Sequence, residues 1–233
     1  MTRIRFQQSL ENLKEKLLVE AGLAEQAVQR AIEAYRKRDL SICELVSRGE
    51  IDINILEREI DQAALDLLAM EQPMAGDLRF ILSVIKINAE LERVGNAAKT
   101  ISERVRHMER MAAAELPVNI PRMAELASEM VRMSLQAFIE ADAEAARSIL
   151  TMDDAVDAMN KAAFKALIKV MEEQSHLAPQ ALNALMISRA LERVADHATI
   201  AEDVIFWVLG DDVRHHKSVN LLQQQQDKGE TSA

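Results

Sequence analysis

From Phe6 to about Arg38 the apolar residues fall at Leu10, Leu13, Leu17, Ala21, Ala24, Val28, Ala31 and Ile32. Those steps of three and four put them on one face of a helix. Asp39 and Ser41 offer N-caps, and Ser41–Glu44 fits a capping box. A second helix is therefore predicted to run to about Met70, with Leu45, Ile53, Leu56, Ile60, Ala64, Leu67 and Leu68 on its apolar face. Pro73 and Gly76 interrupt the pattern. It resumes near Asp77 as a third helix carrying Ile81, Val84, Ile85, Leu91, Val94, Ala98, Ile101 and Val105, and fades after His107. Pro117 and Pro121 bracket the best internal boundary, with Pro121 suited to a first helical turn. Beyond it a fourth helix is predicted to Glu140, a fifth from Asp142 to near Gln174, and a sixth from Pro179 to Leu209. Gly210 is placed to cap the last of these.

The two trios are copies. Leu91-Glu92-Arg93-Val94-Gly95-Asn96 returns 100 residues later as Leu191-Glu192-Arg193-Val194-Ala195-Asp196, and the Asp39 cap returns 103 residues later as Asp142. The change of offset puts a three-residue length difference in the second loop of each half, where a surface connection tolerates it. Short loops make each trio run up-down-up. The expected fold is all-α, with two tandem antiparallel three-helix bundles related by internal duplication. Residues 1–116 make the first and 117–210 the second. The polar stretch 211–233, with His215-His216 and a glutamine run, is expected to be a disordered tail.

Composition agrees with long helices. Of 233 residues 49% are hydrophobic but only 3% aromatic, and six Gly and four Pro are too few for a sandwich or barrel. The net charge of −10 argues against nucleic acid and against tight docking on anionic lipid. Cys43 is the single cysteine, so an intrachain disulfide and a Cys-based zinc site are excluded, and it is expected to be a small buried residue. No run of about 18 apolar residues is present and the N-terminus does not read as a signal peptide. A cytoplasmic protein is expected.

Acid pairs four residues apart are the main candidate chemistry. Glu192/Asp196 lie beside the apolar stripe of the sixth helix, and Asp153/Asp157 have the same spacing on the fifth. Like charges so placed repel by a few tenths of a kcal/mol. Facing each other, the pairs would gather four carboxylates suited to a cation with oxygen ligands. Spacing alone is weak, since Glu11/Glu15, Glu57/Asp61, Glu125/Glu129 and Glu140/Glu144 share it, and Arg189 and Arg193 lie close enough to neutralise the sixth-helix pair. Recurrence strengthens it, because the leading acids reappear as Glu50 and Glu92. Their partners there are Asn54 and Asn96, which keep a carbonyl oxygen but no charge. His197 reads as a half-exposed helical residue rather than a ligand, and Met70, Met152, Met159, Met171 and Met186 as core filling. There is no phosphate-binding Gly loop, no arranged nucleophile and no H-E-x-x-H helix, so an enzyme is not expected.

At Glu90-Leu91-Glu92-Arg93-Val94-Gly95-Asn96, at Leu191 to Val204 and at Gln72-Pro73-Met74-Ala75-Gly76-Asp77-Leu78-Arg79 the chain resembles the PhoU family of phosphate-transport regulators. The resemblance implies a homo-oligomer at the inner face of the membrane that represses the phosphate-starvation response. It would do so by linking the ATPase subunit of a phosphate ABC transporter to a sensor histidine kinase. It also implies divalent or trivalent metal ions (iron, zinc or magnesium) on a Glu/Asp-x-x-x-Asp motif. That motif is complete at Asp153/Asp157 and Glu192/Asp196, and ends in Asn at Glu50/Asn54 and Glu92/Asn96. Two other readings stay open. One is a carboxylate-bridged di-metal enzyme of the helical-bundle type; the other is a purely structural bundle with solvated acids.

Overall fold

The computed structural model describes residues 2–71 and 73–211. The expected tail, with His215-His216 and the glutamine run, lies almost entirely outside them, as does Gln72. The first half is three unbroken helices, α1 (Thr2–Lys37), α2 (Leu40–Glu71) and α3 (Ala75–Met108). The second comprises α4 (Ile120–Glu140), α5 (Ala143–Ile149), α6 (Asp153–Glu173), α7 (Ala178–Asp196) and α8 (Ile200–Leu209). Short 3-10 turns at Ser175–Leu177 and His197–Thr199 precede and follow α7. Among the described residues there is no strand, and the fold is the expected pair of tandem antiparallel helical bundles.

Local chemistry sets most of the ends. Asp39 accepts from the backbone N–H of Ser41 at 2.8 Å and from its hydroxyl at 2.7 Å, so Asp39, rather than the Ser41–Glu44 box, starts α2. Asp142 caps α5 by accepting from the N–H groups of Glu144 and Ala145 at 3.0 and 2.9 Å. Asn119 caps α4, with Pro121 in its first turn. Gly210 closes α8 at φ +73°, its N–H donating to the Phe206 carbonyl at 2.8 Å. Asp77 is not the cap of α3: Met74 occupies that position and Asp77 lies in the first turn.

Two helices expected to be continuous are broken, both in the second half. The predicted fifth helix turns at 150–152, where the Thr151 hydroxyl donates to the Ser148 carbonyl at 2.8 Å and the Ser148 hydroxyl to that of Ala145 at 2.7 Å. Such hydroxyl bonds compete with the helical ladder. The predicted sixth helix tightens at His197–Thr199, where the Ala198 carbonyl accepts from the buried Ser134 hydroxyl of α4 at 3.2 Å. Period-based reading sees the apolar stripe continue through both places and is blind to these bonds.

The duplication is visible in the core. Leu17, Ala21, Ala24, Val28, Ala31 and Ile32 of α1 are buried, and 103 residues on so are Ile120, Ala124, Ala127, Val131, Ser134 and Leu135 of α4. Each buried Leu or Ile contributes about 1.5–3 kcal/mol of transfer free energy. Leu45 and Met70, expected on apolar faces, are instead exposed at 43% and 72%. One apolar core runs through both halves. Phe80 of α3, Phe138 of α4 and Trp207 of α8 meet with ring centroids 5.2–6.0 Å apart. Arg79 and Ser83 of α3 donate to the carbonyls of Trp207 and Asp203 at 3.2 and 3.0 Å. α3 packs against both α7 and α8, which joins the two bundles.

Candidate metal centre

Both breaks lie beside the acids. The 150–152 turn makes Asp153 the first residue of α6, and the 3-10 turn at His197 makes Asp196 the last residue of α7. α6 and α7 pack against each other, and Asp153, Asp157 and Asp196 each present a carboxylate oxygen within 4.8 Å of the others. Asp153 sits favourably at the positive end of its helix, whereas Asp196 sits at the negative end of α7 and is not relieved there. Burial first, then the charges of Glu192, Asp153 and Asp157, push the Asp196 carboxyl up to about 6, against a smaller opposing effect of His197. Lys161, four residues after Asp157, pairs with it at 3.0 Å from an exposed position. Glu192 lies one turn back from Asp196, half-buried and outside the group of three, though its charge reaches both Asp196 and Lys161. Arg189 and Arg193 are exposed.

This donor set is all oxygen and all acidic, which suits a hard or borderline cation. Asp153, Asp157 and Asp196 would hold it. The ion would neutralise carboxylates that otherwise repel one another.

The first half is built differently at the matching positions. Glu50 is buried and accepts from Lys99 Nζ at 3.1 Å and from Asn54 Nδ2 at 3.0 Å. Glu92 accepts from Asn96 Nδ2 at 2.5 Å. Lys99 aligns with Thr199 in the second copy. An internal ammonium and two amides thus occupy the acids that an ion would need. The residues Glu50 and Glu92 are brought to the expected faces, but already satisfied.

One contact at the site was not legible from spacing. His197 Nδ1 lies 2.6 Å from Glu90 Oε2 of α3, and Arg93 holds the other oxygen of Glu90 at 2.8 Å. His197 is half-buried, in line with the half-exposed residue expected, and is in addition tied to the first bundle. The signal available was Glu90 itself, an acid one residue before the buried Leu91 on an apolar stripe. Cys43 is fully buried as expected. Met152, Met159, Met171 and Met186 are half-buried at the margin of the core.

Comparison with known proteins gives a consistent set of similarities. The family model described as PhoU domain matches residues 18–105 and again 120–204. The phosphate-specific transport system accessory protein PhoU homolog of Pseudomonas aeruginosa is 35% identical over 215 residues, covering 91% of this chain and 88% of that protein. The accessory protein PhoU of Escherichia coli is 30% identical with the same coverages, 91% and 88%. Among solved structures, PhoU from Pseudomonas aeruginosa superposes with a TM-score of 0.84 at 34% identity, covering 88% of this chain and 100% of that one. The phosphate transport system regulatory protein PhoU from Streptococcus pneumoniae gives 0.82 at 29% identity, covering 89% and 99%.

Proposed function

The chain belongs to the PhoU family, and from that premise we propose that it is an accessory protein of phosphate transport that regulates uptake and catalyses no reaction. The observation that carries the reading is the double match of the family domain, once in each half, across most of the chain. In this reading it acts in the cytoplasm, as a homo-oligomer against the inner face of the membrane. There it binds the ATPase subunit of the phosphate transporter and a sensor histidine kinase. Among the described residues no helix is long and apolar enough to cross a membrane.

Surface features support partner binding. α2 exposes Leu40, Ile51, Ile55 and Leu65 among acidic and polar neighbours, a pattern that suits docking of another protein. Asp153, Asp157 and Asp196, with Glu192 beside them, would hold the metal ion. A bound ion would draw the start of α6 to the end of α7. Because His197 follows Asp196 and pairs with Glu90, ion occupancy would bias the packing between the bundles and so the partner-binding state. The position of the acids at helix ends, with Asp196 exposed, favours this regulatory use over a buried di-metal enzyme centre.

The test is genetic and direct. Deleting the gene should switch on a phosphate-starvation reporter in phosphate-rich medium, and affinity capture from those cells should recover the transporter ATPase and the kinase. A silent reporter in the deletion strain would overturn the reading.

A further inference from the structure

α2 packs on α1 and α3 and turns its remaining side to solvent. Val46, Ile53, Ile60 and Ala64 face inward and are fully buried. Four large apolar residues stand on the outer side, Leu40, Ile51, Ile55 and Leu65, between 36% and 55% exposed. Glu44, Arg48, Glu59 and Gln62 are exposed among them. At about 100° per residue these eight positions fall in one stripe about 120° wide. The helix is unbroken from Leu40 to Glu71, so the stripe is continuous.

The second half shows that the fold does not require this stripe. At the positions 103 residues on, Ala143, Asp154 and Ala158 match Leu40, Ile51 and Ile55, and Thr151 and Ala162 match Arg48 and Glu59. Leu65 alone has a large apolar counterpart, Ile168, which is half-buried. The turn at 150–152 also interrupts the matching helix. A single exposed leucine is ordinary, but four large apolar residues on one face of one helix, absent from its copy, mark a contact surface.

We propose that the stripe takes a second copy of this chain, with α2 antiparallel to the partner's α2 about a two-fold axis level with Ile53. In that arrangement the stripe complements itself, because its members mirror about position 53. Leu40 meets the partner's Leu65, Glu44 the partner's Gln62, Arg48 the partner's Glu59 and Ile51 the partner's Ile55. Each contact occurs twice, as a two-fold interface demands. Ile51 and Ile55 of both copies make the apolar centre, flanked by two opposite-charge pairs. A parallel pairing would set Arg48 on Arg48 and Glu59 on Glu59, which repel. Glu59 holds Lys16 with Oε2 at 2.8 Å, so Oε1 is the oxygen offered to the partner's arginine. Only the first half carries the stripe, so association closes at two copies. The inference rests on the reading of the chain as a homo-oligomer and names the surface that makes it one.

The experiment is sedimentation equilibrium on the purified full chain, which should show a species of twice the 26.1 kDa chain mass. Ile51→Glu/Ile55→Glu should weaken association at least about tenfold, as loss of a central contact does. Arg48→Glu sets acid against acid at two symmetric places and should weaken it as well, whereas Arg48→Glu/Glu59→Arg should restore it. That rescue reads the register, since a merely adhesive surface would not respond to it. The altered residues are all exposed, and circular dichroism confirms the helices in each variant. A chain that stays monomeric, a dimer indifferent to Ile51→Glu/Ile55→Glu, or a charge swap that fails to rescue Arg48→Glu would overturn the proposal. So would a monomer that uses this face to hold the transporter ATPase or the kinase. The reporter strain is read separately: a monomeric chain whose deletion still switches the reporter on removes the interface and leaves the regulatory role.

Discussion

Lys99 Nζ lies 3.1 Å from Glu50 Oε1, so an ammonium of the chain itself stands where the duplication would put a bound cation. Thr199 holds the matching place 100 residues later. Asn54 and Asn96 complete the substitution, each donating an amide N–H to the acid four residues before it. The first half thus satisfies its acids with its own ammonium and amides, whereas the second half leaves three aspartates grouped together.

Restoring the second-half pattern to the first should restore ion binding. The triple change Lys99→Thr, Asn54→Asp and Asn96→Asp is expected to add a Mn²⁺ equivalent in a calorimetric titration. Lys99→Thr alone leaves buried Glu50 without its cation and should cost about 1–3 kcal/mol in urea unfolding. Added Mn²⁺ should recover that loss in the triple variant and not in the single one.

Affinity at the second-half centre should depend on pH in a defined direction. The Asp196 carboxyl is pushed up to about 6, so protons compete with the ion in mildly acid solution. Binding is expected to be nearly constant above that pH and to weaken by up to about tenfold per unit below it. Isothermal titrations between pH 5 and pH 8 (about the range a carboxyl of this kind reports) check the slope, and Asp196→Asn should remove it together with most of the affinity.

Glu20 of α1, fully buried with neither carboxylate oxygen hydrogen-bonded, makes the opposite kind of pH prediction, for the metal-free chain. Its carboxyl rises from 4.5 to about 9, with burial the first cause and Glu57, Asp61 and Glu92 adding to it. The folded state therefore keeps a proton that the unfolded state has lost. This contribution to stability is full below the unfolded value and disappears progressively as pH rises toward 9. At pH 7 the cost is on the order of 3 kcal/mol. Glu20→Gln should raise the urea midpoint of the metal-free protein at neutral pH and flatten its decline with pH; equal slopes for both chains would contradict this.

The repeat, the helix order, the caps at Asp39, Asp142 and Gly210 and the acidic candidates were legible because they rest on spacing and on local chemistry. The breaks after Ile149 and Asp196 were not. They are made by hydroxyl-to-carbonyl bonds, one of them reaching from Ser134 on another helix, and an uninterrupted apolar stripe carries no trace of those. The Glu90–His197 contact joins residues 107 apart in different halves, beyond any periodic signal. Glu20 was visible in principle, as an acid on an apolar face, but its isolation from any partner depends on how α1 packs on α2 and α3.

A last difference between the halves concerns packing. A Cβ built on Gly95 would meet Ile53 Cδ1 at 2.9 Å, whereas the second copy pairs Ala195 with Val156 at these positions. Gly95→Ala alone should be near neutral, since about 1 kcal/mol of helix propensity offsets the overpacking. With Ile53→Val the clash is relieved, and the pair should be more stable than Gly95→Ala by a measurable shift in thermal midpoint. A lower midpoint for the pair would contradict the traded-volume explanation.

The most direct test of the metal-centre account is an anomalous difference map from crystals of the full chain grown with Mn²⁺. The account requires a peak bounded by Asp153, Asp157 and Asp196, with Glu50 still held by Lys99. A map with no density between those three aspartates, at a concentration that saturates Mn²⁺ binding in solution, would contradict it.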